Sequence, residues 1–147
     1  MERSKKTGMP EDDFDKMPQP FRNTTVESVM AYMKAQFSYW TEDETACNFR
    51  RMLTLEQYRN PEMANLYQKV LASGPVNYIE DLFREMMLSG TWLEGSPRQM
   101  AVEFFAPFYL LLSMSDAASG KEEKEKVAVL FTTHLECFVE TYAAKMP

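Results

Sequence analysis

The chain has 147 residues, enough for one domain that buries roughly two-thirds of its unfolded surface, so no second core is needed. Apolar residues make up 45%, which excludes a disordered, highly charged chain. The formal charge of −6 rests entirely on residues 24–147, whose surface therefore repels a phosphate backbone and disfavours direct nucleic-acid binding.

Ala, Leu and Met supply 12 residues each against 8 Val and a single Ile, a bias toward side chains that lose little rotamer freedom in a helix. Residues 1–23 mix charges with Pro10, Pro18 and Pro20 and read as an irregular arm or linker ahead of one helical domain, 24–147. Thr24-x-x-Glu27 has the form of a capping box. Val26, Val29, Met30, Met33, Phe37 and Trp40 then recur at helical spacing, which predicts a first helix to about Tyr39. Thr41-x-x-Glu44 has the same form and opens a second helix with Ala46, Phe49, Met52 and Leu53 on its buried face. Asn60-Pro61 places a cap before a first-turn proline, followed by the stripe Met63, Leu66, Tyr67, Val70 and Leu71. Ser73-Gly74-Pro75 ends that helix and starts a fourth, carrying Ile79, Leu82, Phe83, Met86 and Met87 up to Gly90.

Ser96-Pro97, with Gln99 following, starts a fifth helix whose centre, Phe104 to Leu112, is apolar on every side and so demands cover on every side. Pro107 within it removes a backbone donor and is expected to bend it. Gly120 and the charged run Lys121 to Lys126 open a last helix bearing Val127, Leu130, Phe131, His134, Leu135, Phe138 and Tyr142. Six helices and no convincing strand give an all-α bundle.

Catalytic chemistry finds little support. No nucleophile-elbow, phosphate-loop, dinucleotide or zinc-protease pattern occurs. Glu11-Asp12-Asp13 and Glu42-Asp43-Glu44 sit at a linker and a helix start, where carboxylates are solvated and aligned with a helix dipole. His134, the single histidine, lies on an apolar face and reads as a hydrogen-bonded core or interface residue. Cys47 and Cys137 lack C-x-x-C spacing and an activating partner, which suits reduced thiols in a cytoplasmic protein without a metal or cofactor. The N-terminus lacks an apolar signal region, and the most apolar run, Phe104 to Leu112, is far shorter than the roughly 20 residues of a membrane span, so no membrane contact is expected.

What stands out is soft apolar matter: 12 Met, 10 Phe and 7 Tyr. Such side chains build either an ordinary core or an adaptable cavity for an apolar ligand. The candidate cavity lies between the first four helices and the fifth, lined by a subset of Met33, Phe37, Phe49, Met52, Tyr67, Tyr78, Phe83, Met86, Phe104 and Phe108. Arg50 and Arg51 offer an anion anchor, or lie on the surface where arginine usually belongs.

Several segments carry a resemblance. They are Phe49-Arg50-Arg51-Met52-Leu53-Thr54-Leu55-Glu56-Gln57-Tyr58, Asn60-Pro61 with Leu66-Tyr67, and Phe83, Met86 and Gly90. Ala101-x-x-Phe104-x-Ala106-Pro107 and His134-x-x-x-Phe138-x-x-x-Tyr142 complete the set. In this order, over Trp40 to Tyr142, they resemble the C-terminal domain of TetR-family transcriptional regulators. The resemblance implies a homodimer in which the last two helices of each subunit form an intermolecular four-helix bundle, and a small-molecule effector held by the preceding helices. The expected interface residues are Phe105, Tyr109, Leu112, Phe131, His134, Leu135, Phe138 and Tyr142. The family's DNA-reading head needs three helices, whereas 23 charged, proline-broken residues precede the first helix here. Two functions follow as expectations: an effector-sensing and dimerisation domain, or a headless subunit that pairs with an intact regulator.

Overall fold

The structure, a computed structural model, describes residues 24–145, so the arm expected over 1–23 lies outside the described residues. The described chain is all-helical, with segments α1 (Val26–Glu42), α2 (Glu44–Glu56), α3 (Pro61–Leu71), α4 (Ser73–Leu88), α5 (Pro97–Ala117) and α6 (Lys121–Tyr142). Two joints are single residues, Asp43 between α1 and α2 and Ala72 between α3 and α4. Among the described residues the one strand-like pairing is an isolated bridge between Trp92 and Ala143.

Local chemistry explains the helix ends, though not always through the residues expected. The α1 cap is Thr25, whose hydroxyl accepts from the Ser28 amide at 3.0 Å while the Ser28 hydroxyl accepts from the Thr25 amide at 3.1 Å. The expected Thr24/Glu27 box is therefore shifted by one residue. Thr41 does not cap α2 either: it lies inside α1, bonded back to the Phe37 carbonyl at 2.7 Å, and Asp43 accepts from the Ala46 amide instead. Asn60 and Ser96 cap α3 and α5 as the sequence suggests. Gly74 has a steric cause, since a Cβ there would stand 1.9 Å from the Lys69 carbonyl oxygen. The two helices can meet across one residue only because that atom is missing.

Helix α5 is the spine. It packs most extensively on α4 and α6 and also touches α1, which in turn contacts α2 and α6. Met100, Ala101, Phe104, Phe105, Phe108, Leu111, Leu112 and Ser115 form its buried face. The opposite face is open: Val102 is 41%, Leu110 58% and Met114 42% exposed, so a helix expected to be covered all round is covered on one side by its own chain. By length and composition α5 is the one described helix apolar enough to cross a membrane. The count of consecutive apolar residues missed this, and the property comes largely from the eight side chains packed into the bundle.

The core is aromatic. Phe37 stacks on Phe131 at 4.7 Å between centroids, and Phe83 meets Trp92, Phe104 and Phe138 within 5.9 Å. The Trp92 indole N–H donates to the Met86 sulfur at 3.1 Å. The loop bearing Trp92 is tied to the end of α6 by Leu93 N–H to the Tyr142 carbonyl and Ala144 N–H to the Thr91 carbonyl, at 2.8 and 3.0 Å. Helix α5 runs unbroken through Pro107. One turn before it, His134 Nε2 lies 2.9 Å from the Phe104 carbonyl oxygen; a carbonyl only accepts, so the proton sits on Nε2.

Candidate functional site

Between α1, the α3–α4 joint and α5 lies a cavity of about 260 Å³. Its floor is apolar: Val29, Met33 and Trp40 from α1, Val70 and Leu71 from α3, Pro75, Ile79, Leu82 and Phe83 from α4, and Phe104, Phe105 and Phe108 from α5. Its remaining wall is polar and neutral, made by Thr24, Ser28, Tyr32 and Gln36 with Tyr78 from α4. Among the described residues no Lys, Arg, His, Asp or Glu side chain lines it.

The α1 contribution follows from helical geometry. Val29, Met33, Phe37 and Trp40 turn into the bundle. Thr24, Ser28, Tyr32 and Gln36 recur every four residues and form a second stripe beside the first. Burial pushes the Tyr78 hydroxyl up to about 12, so it stays protonated at neutral pH.

Of the ten side chains expected to line a cavity, Met33, Tyr78, Phe83, Phe104 and Phe108 do so. The other five stand elsewhere. Phe37 is stacked on Phe131 and meets Phe108 edge to face. Met86 is buried beneath Trp92. Tyr67 is buried, with its hydroxyl bonded to that of Tyr109. Phe49 is half-buried and Met52 is 39% exposed on the outer side of α2. The polar wall and the residues Val29, Trp40, Val70, Leu71, Pro75, Ile79, Leu82 and Phe105 were not anticipated as lining. The four-residue polar repeat of α1 was the signal available for the wall.

Arg50 and Arg51 do not face the cavity. Arg50, 5% exposed, makes a two-pronged pair with Asp116 near the end of α5, both contacts at 2.8 Å, and donates to the Trp40 carbonyl at 3.1 Å. Arg51 joins the same carboxylate from the surface at 3.0 Å. The Cys47 thiol donates to the same Trp40 carbonyl. Burial alone pulls the Arg50 guanidinium down, but the paired carboxylate outweighs it and the net shift is upward. The anion these arginines hold is a side chain of their own chain, which binds α1, α2 and α5 together.

The interface residues require correction. Phe105, Leu112, Phe131, Leu135 and Phe138 are 6%, 4%, 1%, 0% and 5% exposed within a single chain, so they cannot offer surface to a second one. His134 and Tyr142 are half-buried and engaged by the Phe104 carbonyl and the Glu103 carboxylate. Tyr109 alone of the eight is substantially exposed, at 43%. The other outward apolar positions are Val102, Leu110 and Met114 on α5, and Val129 and Leu130 on α6.

Among the described residues no group of three or more His, Cys, Asp or Glu side chains is placed to hold a metal ion. Cys47 is buried, and Cys137 is exposed on the outer side of α6. No family model matches the chain, and no curated protein and no solved structure matches it.

Proposed function

We propose that this chain is the effector-binding and dimerisation module of a TetR-type regulator, with a small apolar molecule in the α1/α4/α5 cavity and a second copy on the outer face of α5 and α6. One observation carries the reading: α5 supplies both the cavity wall, through Phe104, Phe105 and Phe108, and the open apolar stripe Val102, Leu110 and Met114. An occupant that pushes on one side of a rigid helix shifts the other side, which is what a sensor coupled to dimer geometry requires.

The outer stripe supports a second copy. Val102, Ala106, Tyr109, Leu110, Ser113 and Met114 share one face of α5, and Val129, Leu130, Thr133 and Cys137 share one face of the antiparallel α6. Exposed apolar patches of this kind mark interfaces, and a two-fold pairing is the commonest way to cover one. Because residues 24–147 carry the whole charge of −6, contact with DNA is assigned to residues outside this bundle.

The test is light scattering combined with a thermal-shift screen of apolar compounds. The wild-type chain should be a dimer at micromolar concentration, Leu110→Arg should be a folded monomer, and apolar compounds should raise the melting temperature. A monomeric wild type indifferent to every compound overturns the proposal.

A further inference from the structure

The chemistry of the cavity wall limits what can bind. Thr24, Ser28, Tyr32 and Gln36 form a neutral hydrogen-bonding ladder along one side of an otherwise apolar chamber, with no charged side chain among the described lining residues. Ser28 is already engaged with the Thr25 backbone at its cap, so its hydroxyl has only acceptor capacity left. Gln36 differs. It is half-buried, and its amide makes no hydrogen bond with another described residue, so it presents a donor and an acceptor to an occupant.

We infer that the cavity takes an uncharged amphiphile, an apolar body bearing a hydroxyl or carbonyl group that meets the Gln36 amide, and rejects the carboxylate and ammonium analogues of the same body. This rests on the ligand-binding reading above and adds the class of ligand. A charged head group entering the chamber loses water and meets no counter-charge among the described lining residues, whereas a hydroxyl exchanges its water for the Gln36 amide. Size fits a small molecule. A cavity of about 150 Å³ takes benzene, so this one suits a body of roughly ten non-hydrogen atoms.

Trp40 makes the experiment direct, since it lines the cavity while Trp92, the other tryptophan, is packed against Met86 and Phe83. Trp40 fluorescence is titrated with 1-nonanol, nonanoate and nonylammonium at neutral pH, with a Trp92→Phe background as a control for site. The alcohol should bind at least tenfold more tightly than either ion. Gln36→Leu should weaken the alcohol severalfold while leaving a plain hydrocarbon such as butylbenzene unchanged, and Gln36→Lys should reverse the preference toward nonanoate. Nonanoate binding as well as the alcohol in the wild type overturns the inference while leaving the cavity a ligand site. An alcohol affinity unchanged in Gln36→Leu also overturns it. Failure of all four probes to bind overturns the ligand-binding reading itself.

Discussion

Replacing Asp116 by Ala should cost far more stability than a change on a partly exposed helix end usually does. The carboxylate is the principal partner of the Arg50 guanidinium, whose side chain is 6% exposed, and its loss leaves a buried cation with the Trp40 carbonyl as its remaining acceptor. Removing one partner of a buried ion pair typically costs about 3–5 kcal/mol. The Asp116 side chain is itself 28% exposed, so water reaches the vacated position and offsets part of that cost. The Arg51 side chain, 45% exposed, returns to solvent at little cost. An expected loss of about 2–3 kcal/mol follows, equivalent to roughly 6–12 °C in melting temperature for a domain of this size. Urea unfolding of Asp116→Ala, Arg50→Met and the double variant Arg50→Met/Asp116→Ala supplies the cycle. The double variant should lie within about 1 kcal/mol of the wild type, because no uncompensated charge remains. A loss below about 0.5 kcal/mol for Asp116→Ala, or a double variant as unstable as the two single changes added, would refute the reasoning. Burial raises the Asp116 carboxyl, but the hydrogen bonds from Arg50 and Arg51 outweigh it and hold the group below its ordinary 3.8. Its contribution is therefore complete above that value and lost as pH falls through the depressed one, a limb that Asp116→Ala should lack.

Gly74→Ala places a methyl group 1.9 Å from the Lys69 carbonyl oxygen, and the α3–α4 joint should open at a cost of about 2 kcal/mol or more, read by urea unfolding. Tyr78 gives an alkaline counterpart: its folded value is raised from 10.0 to about 12, so its contribution is complete below pH 10 and lost as pH climbs toward 12. Absorbance at 295 nm should show late-titrating tyrosines in the folded protein, Tyr67 and Tyr142 being raised as well, and Tyr78→Phe should remove one of them; a tyrosine set titrating uniformly near 10 would contradict the burial. Phe104→Ala, at a side chain 1% exposed, should lose about 3–5 kcal/mol, so unfolding must be measured beside any binding loss in that variant.

Periodicity made the bundle legible, because Val29, Met33, Phe37 and Trp40, or Ile79, Leu82, Phe83 and Met86, leave no other way to bury them than as helix faces. Cap registers were less legible. Thr24 and Thr25 are adjacent, and the choice falls to Thr25 because Ser28 returns the hydrogen bond as well as Glu27 would have. The interface expectation failed for a physical reason: the most apolar face of a helix is its core face, so Phe131, Leu135 and Phe138 point inward and the outer stripe, with Val129 and Leu130, is less apolar. Five of the seventeen residues lining the cavity, Met33, Tyr78, Phe83, Phe104 and Phe108, were legible as large soft side chains. Its polar wall is not marked by an apolar stripe, because Thr24, Ser28, Tyr32 and Gln36 recur every four residues beside the stripe of Val29, Met33, Phe37 and Trp40.

The joint claim of a cavity and a dimer face on one helix has a single direct readout in methionine methyl groups. Met33 lines the cavity and Met114 lies on the open face of α5 at 42% exposure, so a ¹³C-methyl methionine spectrum reports both. Recorded with and without 1-nonanol and over a dilution series, it should show Met33 moving with the alcohol and Met114 changing as the protein is diluted. Met114 should also respond to the alcohol, since α5 carries both sites. A Met33 signal untouched by the alcohol, together with a Met114 signal constant on dilution, would contradict the account.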